Sequence, residues 1–214
     1  MNRLFTAENH HEVLPFWSAC RREKQKALTV LTLDHHTDVV RAFRDEQRHV
    51  PAEAWQESHQ VTAAVRELRH DEHFDWALRA GIIREAFIVS HTCATVPADE
   101  RLHVLCDPLW PEENELFRTP ELYRSLADSV LETAYLFRQF GDLSRYGEFI
   151  LDIDCDYILT AKALSPRDGT FFRSLIRQAA MVTVSLEKDW VRLLRFPGET
   201  LTSGEILQHL TSFF

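Results

Sequence analysis

No run of about 18 consecutive apolar residues occurs in this chain of 214 residues, so no membrane-spanning helix is expected. There is no excess of basic residues either. Twenty-four Lys and Arg stand against 33 Asp and Glu, giving a net charge of −9. With the cations spread along the chain, that balance argues against a nucleic-acid partner and leaves room for a cationic one. Cysteine is scarce. Cys20, Cys93, Cys106 and Cys155 form no CxxC pair, which argues against a zinc ribbon or a disulfide framework and fits a reducing, cytoplasmic setting. Met1 to Glu8 lack the pattern of a secretory leader. No repeat, low-complexity tract or linker divides the sequence. With 45% hydrophobic residues, it can bury a substantial core as one domain spanning 1–214.

What is present alternates between strand and helix signals. Strands are expected at Arg3–Ala7, Ala27–Leu33, Ala86–Ser90, Arg101–Cys106, Glu148–Ile153 and Met181–Leu186. Helices are expected at Glu12–Lys26, with Val13, Phe16, Trp17 and Cys20 on one face, and at Glu72–Ala80, stopped by Gly81. Further helices are expected at Glu121–Phe140, closed by Gly141, at Thr170–Ala179, and at Ser203–Phe214 with Ser203 as N-cap. His49–Thr62 reads as mixed loop and helix, and the proline-bearing Asp107–Pro120 as a loop. The five tryptophans read as packing or pocket-rim residues, and Arg21–Lys26 as the solvated end of a helix. This order predicts an α/β layered fold with a mostly parallel sheet, whose ligands bind at the C-terminal strand ends.

Two acidic clusters fall at such ends. Asp34-His35-His36-Thr37-Asp38 follows the apolar run Ala27–Leu33, and Asp152-Ile153-Asp154-Cys155-Asp156 follows Phe149–Leu151. In an extended chain, residues two apart point the same way, so Asp34, His36 and Asp38 can converge, as can Asp152 and Asp154. Carboxylates this close repel unless cations sit between them. One such cluster alone reads more simply as solvated loop acids, because Asp suits turns and helix starts. Two clusters with a histidine inside one favour a two-metal site. Glu8-Asn9-His10-His11-Glu12 follows the first strand and could add a histidine ligand, the plainer alternative being Asn9 capping a helix.

The order His, Asp-x-His-x-Asp, Asp-x-Asp resembles the arginase/deacetylase (ureohydrolase) superfamily. That resemblance implies a three-layer α/β/α, arginase-like fold and two Mn²⁺ per chain. Its metal ligands would be His10, Asp34, His36, Asp38, Asp152 and Asp154, with His11 as fallback for His10. Asp34 and Asp152 would bridge the ions; His10 and Asp38 would bind one, and His36 and Asp154 the other. The stretch His10–Trp17 (His-His-Glu-Val-Leu-Pro-Phe-Trp) is similar to a small branch of the superfamily that includes bacterial peptide arginases, which convert arginine side chains to ornithine. In that branch a strand ending in Ser-x-Glu often follows the second Asp pair. Ser185-Leu186-Glu187 matches it, so Glu187 resembles the glutamate that holds a guanidinium. A Cys-Cys-Gly-Gly-Trp stretch of the branch is replaced by Lys188-Asp189-Trp190, and the chain is shorter than typical arginases. The proton-shuttle histidine has no clear match. His91 is the candidate by position, with His73 and His103 as rivals.

The chemistry implied is hydrolysis of a guanidino group on a small molecule or peptide. The oxygen-rich ligand set suits Mn²⁺ more than Zn²⁺. Two cations would nearly neutralise four Asp and lower the pKa of a shared water, whose hydroxide would attack the planar carbon. A histidine would protonate the leaving amine. Three rivals stand beside this reading. A DHH-type phosphoesterase is suggested by Asp34-His35-His36, but no Asp precedes it. A deacetylase of the same superfamily would need one zinc and a catalytic Tyr. A degenerate, non-catalytic binding protein would show neither metal nor turnover.

Overall fold

In the computed structural model, which describes residues 3–44, 49–92, 95–107, 110 and 120–214, six strands form a single sheet in which every pairing is parallel. The strands are β1 (Arg3–Ala7), β2 (Leu28–Asp34), β3 (Ile83–Ser90), β4 (Leu102–Cys106), β5 (Phe149–Asp154) and β6 (Met181–Ser185). Every residue of β2, β5 and β6 is buried, which is why these stretches read as continuous rather than alternating runs.

Helices cover both faces. One face of the sheet, with Val30, Ala86, Ile88, Ile150 and Met181, packs against α1 (Leu14–Lys24), α2 (Ser58–Val65) and α3 (His73–Arg79). The other face carries Leu31, Leu33, Leu151, Ile153, Val182 and Val184. It packs against α4 (Pro120–Ala127), α5 (Thr133–Phe140), α6 (Thr170–Gln178), α7 (Lys188–Leu194) and α8 (Ser203–Thr211). The result is a three-layer α/β/α architecture. Each fully buried large side chain, such as Trp17, Phe74 or Phe172, contributes about 1.5–3 kcal/mol. No helix among the described residues is long and apolar enough to cross a membrane.

The strand order is β1-β6-β5-β2-β3-β4. From β2 the chain winds outward to β3 and β4, then returns to lay β5 on the other side of β2. The order therefore reverses between β2 and β5, and the crevice at their C-terminal ends is the binding position of such sheets.

Several local features differ from expectation. The stretch Glu121–Phe140 is two helices, α4 and α5. Glu132 leaves the helix with extended backbone because its carboxylate accepts the Arg167 and Asp168 amides, at 2.8 and 3.0 Å. The N-cap of α8 is Thr202, not Ser203: its hydroxyl accepts the Glu205 amide and Glu205 reaches back to the Thr202 amide. The Glu12–Lys26 segment begins as a 3₁₀ turn, His10–Val13, before α1. Helix α7 has no counterpart in the sequence reading. Gly81 does stop α3, at φ +73°, where a Cβ would stand 2.8 Å from the Ala52 carbonyl oxygen. Most of the expected Asp107–Pro120 loop lies outside the described residues. Cys106 is disulfide-bonded, while Cys20 and Cys155 are free.

Candidate metal centre

Asp34 is the last residue of β2 and Asp154 the last of β5, so both carboxylates stand at the crevice where the strand order reverses. The remaining side chains arrive by turns rather than by strand alternation. After Asp34 the chain bends, and the Asp34 carboxylate accepts the His36 amide at 2.8 Å. Asp38 takes the left-handed conformation, φ 48°, which brings its carboxylate back over the strand ends. After β5, Asp154 caps a 3₁₀ turn, Cys155–Tyr157, and Asp156 turns inward. After β1, the turn His10–Val13 drops His10 into the crevice, with its amide donating to Glu187 Oε1 at 2.7 Å. Glu187 itself sits at φ 39°. Two non-glycine residues in a strained backbone conformation thus face one site, a pattern typical of functional positions.

Six carboxylates, Asp34, Asp38, Asp152, Asp154, Asp156 and Glu187, are buried here with His10. Three overlapping groups have the spacing of metal ligands: His10, Asp34 and Asp154; Asp34, His36 and Asp156; and His10, Asp38 and His73. Asp34 belongs to two of them. His10 Nδ1 lies 3.1 Å from Asp38 Oδ2, 3.2 Å from Asp154 Oδ2 and 3.3 Å from Asp34 Oδ2. His36 Nδ1 lies 3.1 Å from Asp156 Oδ2. Neighbouring ligands on an octahedral ion with bonds of about 2.1 Å stand about 3 Å apart. Asp34 Oδ2 and Asp156 Oδ2 are buried and have no hydrogen-bond partner among the described residues. Buried oxygens without donors, gathered around imidazole nitrogens, fit divalent cations.

The charge state tells the same story. Burial, followed by the nearby Asp38 charge, pushes Asp34 up to about 8. Burial and Asp156 push Asp154 well above the carboxylate range. Burial opposes the charging of His10, yet Asp152 and Asp154 hold its pKa well above the usual value. Burial likewise opposes the charging of His36, which the Asp156 carboxylate beside it raises to about 9. In the absence of cations the centre therefore gathers protons.

The structure brings together His10, Asp34, His36, Asp38 and Asp154 as expected, and places Asp156 with them. It does not bring Asp152 to the same point. Asp152 points to the same face of the sheet, one pleat below, and its oxygens are taken by Thr32 Oγ1 at 2.7 Å, His10 Nε2 at 2.7 Å and Thr183 Oγ1 at 2.5 Å. The Asp-x-Asp pair at the strand end is Asp154 and Asp156, a shift of two residues from the expected Asp152 and Asp154. A signal existed: ligands sit at and beyond the last strand residue, as Asp34 does, and β5 runs one residue further than Glu148–Ile153.

Glu187 lies beside His10, and burial raises its carboxyl. His91 does not reach the centre. Its Nε2 meets the Tyr157 carbonyl at 2.9 Å, its ring is stacked on Tyr157 at 4.4 Å, and the ring of His35 stands between it and His36. Burial holds its pKa well below the usual value, so it is neutral. His73 is closer, 4.3 Å from the His10 ring, but its Nδ1 meets the His70 carbonyl and burial keeps it neutral too. His103 is stacked on Phe87 at the far strand β4. His11 is half-buried, and its pKa is lowered chiefly by burial. The rim near His36 is formed by Trp190, whose ring lies 5.0 Å from that of His36 and 6.2 Å from that of His70.

No family model and no curated protein matches this chain. Among solved structures, proclavaminate amidino hydrolase from Streptomyces clavuligerus is similar in fold, with 15% sequence identity and a TM-score of 0.48 over 98% of this chain and 62% of that one. The chain thus spans about three fifths of the length of that hydrolase.

Proposed function

We propose that this protein is a hydrolase of the ureohydrolase superfamily with two divalent cations, Mn²⁺ by the character of its donors, acting on a guanidino group of a small molecule or peptide. The observation that carries the reading is the pair of ligand-spaced groups sharing Asp34 at the reversal point of the sheet. His10, Asp34, Asp38 and Asp154 would hold one cation; Asp34, His36, Asp154 and Asp156 the other. Asp152 drops out of the set. Four Asp and two His make an oxygen-rich site that favours Mn²⁺ over Zn²⁺. When bound, the cations would supply Lewis acidity and lower the pKa of a water between them.

The chain's own residues account for the rest. Glu187 spends one carboxylate oxygen on the His10 amide, which fixes its direction, and its negative charge would pair with a cationic guanidinium. Trp190 on the rim offers a π face to the same cation. The deacetylase alternative loses ground because it needs a catalytic tyrosine hydroxyl. Those of Tyr135, Tyr146 and Tyr157 meet Trp110, the Phe140 carbonyl and the Val130 carbonyl. Tyr123 packs on Trp110 and Phe196.

The test is metal analysis of the purified protein, followed by urea release from arginine, agmatine and arginyl peptides. Two Mn²⁺ per chain and urea are expected. Glu187→Gln keeps an oxygen for the His10 amide but removes the charge. Losing a partly buried ionic contact costs about 2–5 kcal/mol, so kcat/KM should fall at least about 30-fold with both cations retained. Metal-loaded protein that releases no urea but deacetylates an acyl-lysine or acyl-polyamine would overturn the guanidino assignment.

A further inference from the structure

One buried carboxylate has no place in the cation centre just proposed. Asp152 is fully buried, and each described group hydrogen-bonded to it is a donor or can act as one. Oδ2 accepts from the Thr32 hydroxyl and from His10 Nε2, both at 2.7 Å; Oδ1 accepts from the Thr183 hydroxyl at 2.5 Å. Thr183 Oγ1 in turn accepts from Trp17 Nε1 at 3.1 Å, so the network runs from α1 through β6 and β5 to His10. Unlike Asp34 and Asp156, Asp152 has no oxygen left without a partner. The two nitrogens of the His10 ring face opposite ways: Nε2 toward Asp152, and Nδ1 toward the converging oxygens of Asp34, Asp38 and Asp154. An imidazole that gives its Nε2 proton to a carboxylate presents the Nδ1 lone pair on its other side.

We propose that Asp152 is a positioning residue rather than a cation ligand: it accepts the Nε2–H of His10, fixes that tautomer, and aims Nδ1 at the cation held by Asp34, Asp38 and Asp154. This rests on the cation-centre reading above. The arrangement is a carboxylate–histidine–metal triad, in which loss of the outer partner typically weakens metal binding 10- to 100-fold. The placement explains why His10 needs two anchors. Its backbone is fixed by Glu187, at the start of α7, and its ring by Asp152, on β5.

The test measures Mn²⁺ stoichiometry and the two stepwise affinities by calorimetry and EPR in the wild-type protein, in Asp152→Asn and in Trp17→Phe. Asp152→Asn should still saturate at two Mn²⁺ per chain, with one affinity weakened about 10- to 100-fold and the other unchanged. Trp17→Phe cuts the same network two bonds away from His10 and should leave both affinities in place, as a merely structural role would not. Nitrogen NMR of Mg²⁺-saturated wild-type protein should show His10 protonated at Nε2, a readout that needs no variant to fold. Saturation of Asp152→Asn at fewer than two ions would make Asp152 a ligand. Unchanged affinities in that variant, equal losses in Trp17→Phe, or a proton on Nδ1 of His10 would each overturn the proposal. If the wild-type protein bound no Mn²⁺, the cation-centre reading itself would fall, an outcome seen before any variant is compared.

Discussion

Two rows of polar side chains cross the same strands, two residues apart, on the same face of the sheet. The lower row is Thr32, Asp152 and Thr183, aligned by strand register, and it is closed by hydrogen bonds among its own members and His10. The upper row is Asp34, Asp154 and Ser185, and it is open: Asp34 Oδ2 and Ser185 Oγ are buried with no hydrogen-bond partner among the described residues. The difference lies in the neighbours. Asp152 stands between two threonines whose hydroxyls donate to it, whereas Asp154 stands beside another carboxylate. A buried carboxylate among donors is a structural element. A buried carboxylate among acceptors needs a proton or a cation.

The largest effect expected from breaking this contrast is at Asp34. Asp34→Ala removes the residue common to both ligand groups, so Mn²⁺ binding should fall from two ions to none and hydrolysis should be lost. Calorimetric titration that still found two ions would remove Asp34 from the centre. Chelation should act next. A ligand at about 100 times its Kd stabilises the folded state by about 2.7 kcal/mol per site. For a domain of this size, 1 kcal/mol moves Tm by about 2–4 °C, so removing one cation should lower it by about 5–10 °C. Mn²⁺ should restore it, and an unchanged melting curve after verified metal removal would count against the centre.

A pH series sharpens the same comparison. Asp34 is raised from 3.8 to about 8 and His36 from 6.5 to about 9 in the folded, metal-free protein. A group whose folded pKa is raised contributes stability while protonated, and that contribution is lost as pH climbs through the folded value. Asp34 loses its contribution between pH 3.8 and about 8 and His36 between 6.5 and about 9, so both fall together from pH 6.5 to 8; Tm of the chelated protein should decline from pH 6.5 to 9, and saturating Mn²⁺ should flatten the decline. His35 works in the opposite sense. Burial lowers it to about 4, so its contribution is present above pH 6.5 and disappears as pH drops toward 4. Below pH 6.5 the His35 gain offsets the continuing Asp34 loss, so the net fall in Tm should appear above pH 6.5. Equal Tm at pH 6.5 and 9 after chelation would contradict the upper row's charge state.

How much of this was legible beforehand follows from the same two rows. The all-buried strands announce themselves as apolar runs, and the polar clusters at their ends mark the crevice. That much needs only local sequence, and it placed His10, Asp34, His36, Asp38 and Asp154 near one another. Which two of Asp152, Asp154 and Asp156 face the centre is a different question, because both pairs have the same spacing. The answer depends on Thr32 and Thr183, 120 and 31 residues away from Asp152, which take it out of the site. The break between α4 and α5 was hidden for the same reason, since Glu132 is drawn out by amides 35 and 36 residues further on. Long-range partners, not local propensity, decided both.

The smallest predicted effect, that of Ser185→Ala, gives the cleanest separation of the rows when set against Thr183→Val. Thr183→Val keeps shape but takes a donor from Asp152 and an acceptor from Trp17, leaving two buried polar groups short of a partner. Each such loss costs about 1–3 kcal/mol, so Tm should drop by several degrees. Ser185→Ala, two residues along the same strand, removes a buried hydroxyl that has no partner among the described residues. It should leave the metal-free Tm unchanged or raise it slightly, because no hydrogen bond is lost and a desolvated polar group is relieved. Thermal melts of both chelated variants decide the point. Equal destabilisation at 183 and 185 would mean that the upper row is bonded internally like the lower one, and the argument that its open oxygens call for cations would lose its basis.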